Sequence, residues 1–471
     1  LSVEKQSAVV AAMLEASEPI RDLIKGGAHM RSLGTKYLPK FPMETDKAYK
    51  ARVQGSWLFD GVGKAMDDYV DRLFDKPIES NDEGELGGWC DNIDLEGRDL
   101  SNFAQDVFKA SVRDGVSFIM VDAPPRPDGI VTRGQAQAMN LRPYMVQLEL
   151  SDILGWKTRT FNNAPIISQL RIMESVADPS ADEFDEKKIE QIRVLDHPEG
   201  QAFVSVRLFR KTDKDGWQLW DEYGTQFPQI YLAPVYTGRT GYLKAKPPLA
   251  RLAELNMAHW RSQSDQSNIM HYARVPLKVF IGWDKEDLDG TAQGAGYGLV
   301  TANENAKAET LEHGGTAIDS GREELKDLEQ QMQWVGLQLV MSKAAGATAT
   351  GDMIDEKKST SALSRWADNL KDALEICLGW MTDIAGIEGD TDVSMSRDFL
   401  SVAMNTQDMD VLVKMGLSRE LLLKEAKRRG LVSEDVDIEE ELERQLIDGD
   451  GEEFGDQTPA ATGAMPIPGA T

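Results

Sequence analysis

Two helical patterns, separated by a segment with almost no side-chain bulk, constrain this chain more than any other feature. From about Gly321 to Ser342, Leu325, Leu328, Met332, Val335 and Leu339 recur at intervals of three and four. From about Ser359 to Ile384, Leu363, Trp366, Leu370, Leu374, Cys377 and Met381 do the same. Each spacing puts its apolar residues on one face of a helix, so each helix needs a partner to cover that face. Between them, Lys343 to Lys358 offers no bulky side chain before Met353, and Gly346 and Gly351 loosen its backbone. The segment has nothing to anchor in a core and reads as a mobile projection on two stiff arms. Mobile loops on rigid scaffolds are where function concentrates.

The remainder is helix-dominated α+β. Helices are expected over Ser7–Lys25, with Pro19 disturbing the middle, over Asp46–Phe74 with Asp46 as its cap, and over Ser101–Val112. From Val116 the period changes towards two, which predicts strands at Val116–Val121, Ile166–Ile172, Ile189–Leu195 and Phe203–Phe209. A turn at Lys214–Gly216 then leads into Trp217–Trp220 as a hairpin. Pro247 and Pro248 open a helix running to about Tyr272. Its second half, Arg261 to Asn268, is polar on every face, so it must have neighbours on several sides. Short strands are expected at Leu277–Trp283 and Gly298–Thr301, in a small β unit ending near Ile318. Residues 390–447 read as a smaller helical region and Asp448–Thr471 as disordered.

Charge and motifs narrow the function classes. The chain of 471 residues carries 79 acidic against 52 basic residues, a net charge of −27. That is the wrong sign for gripping nucleic acid over a broad face, where affinity comes from Lys and Arg neutralising phosphates. It does not exclude a protein that must let DNA pass without holding it. Cys90 and Cys377 make no disulfide framework, and Cys377 falls on an apolar helix face as a core residue. No apolar run approaches a membrane span and no signal-peptide hydrophobic region is present. Because the chain opens on Leu1, an initiator Met or more is expected upstream.

The familiar catalytic and nucleotide signatures are missing. Gly63-Lys64 is the one Gly-Lys pair, and Leu58 stands where a phosphate-cradling loop needs its first glycine. Gly294, Gly296 and Gly298 have the wrong spacing for a dinucleotide loop. Asp213-Lys-Asp215-Gly216 and Asp448-Gly-Asp450-Gly451 begin like calcium loops, but Gly224 and Pro459 occupy the twelfth positions. The histidines are scattered, and the Glu434–Glu443 run reads as a solvated helix face. Neither a metal nor a cofactor is expected.

An ordered series of segments nevertheless resembles the portal proteins of tailed bacteriophages, in a subfamily with a short crown. They are Tyr37-Leu-Pro-Lys-Phe-Pro42, Ala48-Tyr-Lys-Ala-Arg52, Val70-Asp-Arg-Leu-Phe-Asp-Lys-Pro77, Val107 to Gly115 before the strand Phe118–Val121, and Pro248 to Ser262. The resemblance spans roughly residues 30–390. It implies a wing of residues 1–245 and 359–389, stem helices at 246–273 and 319–342, and a clip at 274–318. It further implies a tunnel loop at 343–358, a crown at 390–447 and a tail at 448–471. By the same resemblance the chain forms a homo-oligomeric ring, a dodecamer, at one capsid vertex of the virion, assembled in the host cytoplasm. Double-stranded DNA passes through it during packaging and ejection. Its partners would be the terminase large subunit, the head–tail adaptor, and the major capsid and scaffolding proteins, with no membrane and no enzymatic activity.

On this resemblance Lys343, Gly346, Thr348, Thr350, Gly351, Asp352, Lys357 and Lys358 face the DNA channel. The second stem helix offers Glu323, Glu324 and Asp327, either as acidic rings on the channel wall, or as partners for basic side chains of a neighbouring subunit, or as groups facing outside water. Two other classes share the absence of motifs: another virion neck or scaffold protein, and an enzyme with a dispersed site. A pocket of convergent titratable groups would distinguish the enzyme.

Overall fold

The computed structural model describes residues 3–124, 133–178, 182, 184, 186–212, 216–274, 277–283, 303–311, 315–338 and 362–395. They lie in the first of the two units into which the chain divides, Leu1–Ser396 and Arg397–Thr471. The predicted tunnel loop, the Gly298–Thr301 strand, most of the predicted crown and the C-terminal tail fall outside the described residues.

The N-terminal part is helical. In α1 (Ala8–Ile24) the Ser7 hydroxyl accepts the Val10 N–H at 3.3 Å. The helix runs through Pro19 without ending, because Val10, Met13, Ile20 and Leu23 place both halves on one buried stripe. A short α2 (Gly26–Ser32) follows. The helix expected over Asp46–Phe74 is two helices, α3 (Asp46–Gly55) and α4 (Gly61–Leu73). Ser56 turns inwards and donates its hydroxyl to Arg52 O at 2.8 Å, so the chain leaves the helix path before Asp60 caps α4. The cap of α3 is Thr45, whose hydroxyl accepts the Ala48 N–H; Asp46 is the first helical residue and pairs with Lys40.

After β1 (Glu79–Ser80) and α5 (Glu85–Cys90), α6 (Leu100–Asp114) is capped by Asp99 and ends on Gly115 at φ +86°. A left-handed residue is a common way to stop a helix, and glycine adopts it without strain. The chain then enters β2 (Val116–Asp122), which is buried almost throughout. With β3 (Tyr144–Leu148, beyond the short α7, Arg133–Ala138) and β9 (Leu232–Tyr236) it makes an antiparallel sheet in the order β3-β2-β9. The long meander β4 (Ile153–Phe161), β5 (Ala164–Ala177), β6 (Lys188–Asp196), β7 (Ser205–Thr212) and β8 (Gly216–Gly224) forms a second antiparallel sheet in chain order. Val10 and Met13 of α1, the inner faces of both sheets and Leu243 share one core. At its edge, Arg21 grips the fully buried Asp114 bidentately, at 2.6 and 2.7 Å, and Arg113 adds a second donor pair.

A small ribbon, β10 (Arg239–Gly241) and β11 (Lys244–Ala245), leads to α8 (Ala250–Arg274). β12 (Leu277–Ile281) and β13 (Lys307–Leu311) pair antiparallel, from Leu277 opposite Leu311 to Ile281 opposite Lys307. The chain returns along α9 (Gly315–Gln338), which begins four residues earlier than the 319 boundary expected from sequence. Finally α10 (Ala362–Ala385) rejoins the body, with Trp366 against Tyr69 and Phe108 and Cys377 fully buried. β14 (Val393–Ser394) pairs with β1, so the first residues of the predicted crown are tied to the body.

Candidate functional site

The element with the least conventional chemistry is α8. A helix that is polar all round needs polar neighbours, and α8 has them on opposite flanks. Ser262 donates to Glu324 at 3.2 Å, His259 Nε2 lies 3.3 Å from Glu329, and Gln266 donates to Ile318 O at 2.9 Å. The pairs 266/318, 262/324 and 259/329 run in opposite directions, so α8 and α9 are antiparallel. Gly321 leaves room for the Gln266 amide, which a Cβ there would push aside. Leu325 and Met332 fill the apolar part of the same seam.

The other flank of α8 carries α3. Arg52 is nearly fully buried; it donates to both Glu44 oxygens at 2.9 Å and to Pro39 O at 2.9 Å, and lies over the Phe41 ring at 4.1 Å. Its remaining nitrogen reaches Ser264 at 3.4 Å, and Ser56 donates to the same hydroxyl at 2.9 Å. The Arg52 hydrogen bonds hold the Glu44 carboxyl below its usual range. A guanidinium removed from water in this way needs its donors matched; four hydrogen bonds engage the fork of Arg52, and the Asp265 carboxylate lies 3.7 Å from Nη1.

Near the body, Asn256 of α8 accepts the N–H groups of Gly61 and Val62 at 3.1 and 3.0 Å and donates to Phe59 O at 2.8 Å. It therefore supplies acceptors that the first turn of α4 lacks within itself. Burial pushes the His259 imidazole below its ordinary value, against the opposing pull of Glu329.

The structure separates the three candidate stem carboxylates. Glu324 is engaged by α8, whereas Glu323 and Asp327 are exposed on the outer stripe of α9. That stripe also carries Trp334, 69 % exposed, a residue absent from the sequence-derived candidates. The signal was available: 334 lies seven residues beyond 327, on the polar stripe and opposite Leu325 and Met332. Lys343, Gly346, Thr348, Thr350, Gly351, Asp352, Lys357 and Lys358 lie outside the described residues.

A groove of about 550 Å³ beside α5 and α6 is the feature closest to a pocket of titratable groups. Two of the four acids that line it, Asp82 and Asp99, already have partners. Asp82 accepts the N–H groups of Gly84, Gly87 and Asp390, which lowers its pKa, and Asp99 caps α6. Burial raises the Cys90 thiol pKa, the wrong direction for a nucleophile at neutral pH. Among the described residues no group of three His, Cys, Asp or Glu side chains is placed to hold a metal ion, and no helix is long and apolar enough to cross a membrane.

Residues 248–385 match the model of a domain of unknown function, DUF4055, a match running from the entry to α8 to the end of α10. No curated protein matches the chain. Two solved structures are similar over most of their length. A chain in the neck of an empty GTA particle, with C6 symmetry, has a TM-score of 0.40 at 11 % identity, covering 79 % of this chain and 90 % of the other. A chain in the neck of a native GTA particle, with C12 symmetry, has a TM-score of 0.39 at 9 % identity, covering 83 % and 96 %. Matches at these scores assign the chain no role.

Proposed function

We propose that this protein is a structural, non-enzymatic subunit of a virion neck, and specifically a portal-type subunit. It forms a ring around a channel that double-stranded DNA enters during packaging and leaves during ejection. The observation that carries this reading is the antiparallel pair α8–α9, held by a polar seam and linked through the two-stranded β12–β13 unit. A channel wall needs a stiff, solvated, two-helix post of this kind. The ordered resemblance to phage portal proteins supports it.

In this reading α8 and α9 are the stem, and the β12–β13 unit belongs to the clip that docks the terminase large subunit and then the head–tail adaptor. Residues 1–245 with α10 form the wing, beside the major capsid and scaffolding proteins. The loop 343–358 meets DNA, with Lys343, Lys357 and Lys358 touching phosphates in passing. An acidic protein suits this task, because every phosphate a basic wall neutralised would add affinity and slow translocation.

Particle images and native mass measurement of the purified chain test the proposal. Annuli with a central opening, of about twelve copies related by one repeated head-to-tail contact, are expected. A monomer or dimer that persists over a wide concentration range overturns it.

A further inference from the structure

The helices α3, α8 and α9 form a layer with α8 in the middle. α3 reaches α8 through Arg52 and Ser56 on Ser264, and α9 reaches it through Glu324 on Ser262 and Glu329 on His259. On the helical wheel, Ser264 lies well over a quarter turn from both Ser262 and His259, so the two neighbours flank α8 from opposing sides. Each flank then presents an outward face that no other element covers among the described residues.

The two faces are chemically opposite. On α9 the outward stripe holds Glu323, Asp327, Gln330 and Trp334, all exposed, with the exposed Lys326 at its edge. Trp334 stands on the far side of the helix from Leu325 and Met332. A large aromatic 69 % exposed in the middle of a polar stripe is out of place on a channel wall wetted by solvent and DNA. Aromatic side chains in such positions are characteristic of protein interfaces. On α3 the residues away from the buried Arg52 include the exposed Lys47 and Lys50, while the exposed Asp46 beside them is paired with Lys40. Just before them stands Met43, 94 % exposed, held in place because Arg52 clamps Glu44 and Pro39 on either side of it. One face is acidic around an aromatic; the other is basic beside a flexible apolar side chain.

We infer that the occupant of the α9 stripe is the α3 face of a second copy of this chain, with Glu323 and Asp327 facing Lys47 and Lys50, and Trp334 meeting Met43. Because the two faces differ and point away from each other across one layer, the contact is heterologous and repeats from copy to copy until it closes. This assigns Glu323 and Asp327 to the subunit boundary and not to the channel wall. The inference rests on the ring reading proposed above and names the surfaces that join the ring.

Charge exchange tests it on the full chain. Wild type, Lys47→Glu/Lys50→Glu, Glu323→Lys/Asp327→Lys and a 1:1 mixture of the two double variants are compared by sedimentation velocity and native mass measurement at physiological salt. Each double variant replaces two facing pairs by two repulsions. Each is expected to need about 30-fold more protein to assemble, taking modest values for exposed pairs. The mixture is expected to recover assembly with the variants alternating, which a misfolded variant would not allow. Trp334→Ala weakens assembly without altering the charge rescue.

Assembly of either double variant at the wild-type concentration overturns the inference and leaves the ring reading standing. Failure of the mixture to recover also overturns the inference. Failure of the wild type to form rings overturns both.

Discussion

Asn256 is a side chain of one helix that completes the start of another, and its removal has a calculable effect. It is 1 % exposed, and its carbonyl oxygen accepts from Gly61 N and Val62 N while its NH2 donates to Phe59 O. In Asn256→Ala both N–H groups lose their acceptor. A buried donor left without a partner costs about 1–3 kcal/mol. Val62 is fully buried and takes the full cost, whereas Gly61 is partly open to water and takes less. Together with the small void left by the amide, the loss is about 3 kcal/mol. In a body of this size the unfolding entropy is large, so this lowers the melting temperature by about 3–5 °C.

Asn256→Asp separates the causes. It keeps both acceptor contacts, adds negative charge at a helix N-terminus and loses the donation to Phe59 O. Its melting temperature should fall about half as far. Thermal unfolding followed by tryptophan fluorescence at fixed concentration and salt provides the comparison. A change under about 1 °C for Asn256→Ala, or equal losses for Ala and Asp, would refute the argument that the accepted N–H groups are what matters.

Three further outcomes are expected. Gly115→Ala should cost about 3 kcal/mol or more, because its φ of +86° disfavours a side chain and the new Cβ would stand 2.5 Å from Lys246 O; a melting temperature equal to wild type would count against it. Acidification from about pH 7 to 5 should destabilise the chain. The unfolded state takes up a proton on His259 near pH 6.5 while burial holds the native imidazole neutral to lower pH, so stability is present above that range and lost below it; denaturation of His259→Gln should show a shallower slope across that window. Replacing Lys343, Lys357 and Lys358 together by Ala should leave ring formation intact and impair DNA retention in a packaging assay, and unchanged packaging would remove the loop from the mechanism.

The sequence exposed the long periodic elements and concealed those made by tertiary contact. The α10 stripe from Leu363 to Met381 and the all-polar stretch of α8 were legible because period and polarity are local. The break between α3 and α4 was not. Trp57, Leu58 and Phe59 extend the apolar pattern, and what ends α3 is a hydroxyl turned towards Ser264, over two hundred residues away. The strands β3, β4 and β9 also escaped. β9 is a five-residue run whose strand character comes from lying beside β2, and β4 holds glycine and charged residues in its middle. At the site, spacing alone could not separate Glu324, taken up by α8, from Glu323 and Asp327.

One joint in the body has a mechanical meaning. Gly115 O accepts the N–H groups of Thr237 and Gly238 at 3.0 Å, and Lys246 N donates to Gly238 O at 2.8 Å. A Cβ on either glycine would strike the Lys246 carbonyl, so three stretches of main chain meet there with nothing between them. α8 starts a few residues further on and extends over 25 residues, about 37 Å at 1.5 Å per residue. A rotation of about 5° at that root swings the distal end of α8 sideways by roughly 3 Å. The long helix is thus rooted in bare main chain at its base, while Asn256 and Ser264 fasten it to α4 and α3 further along, so its direction is set by these contacts together and not by α8 alone.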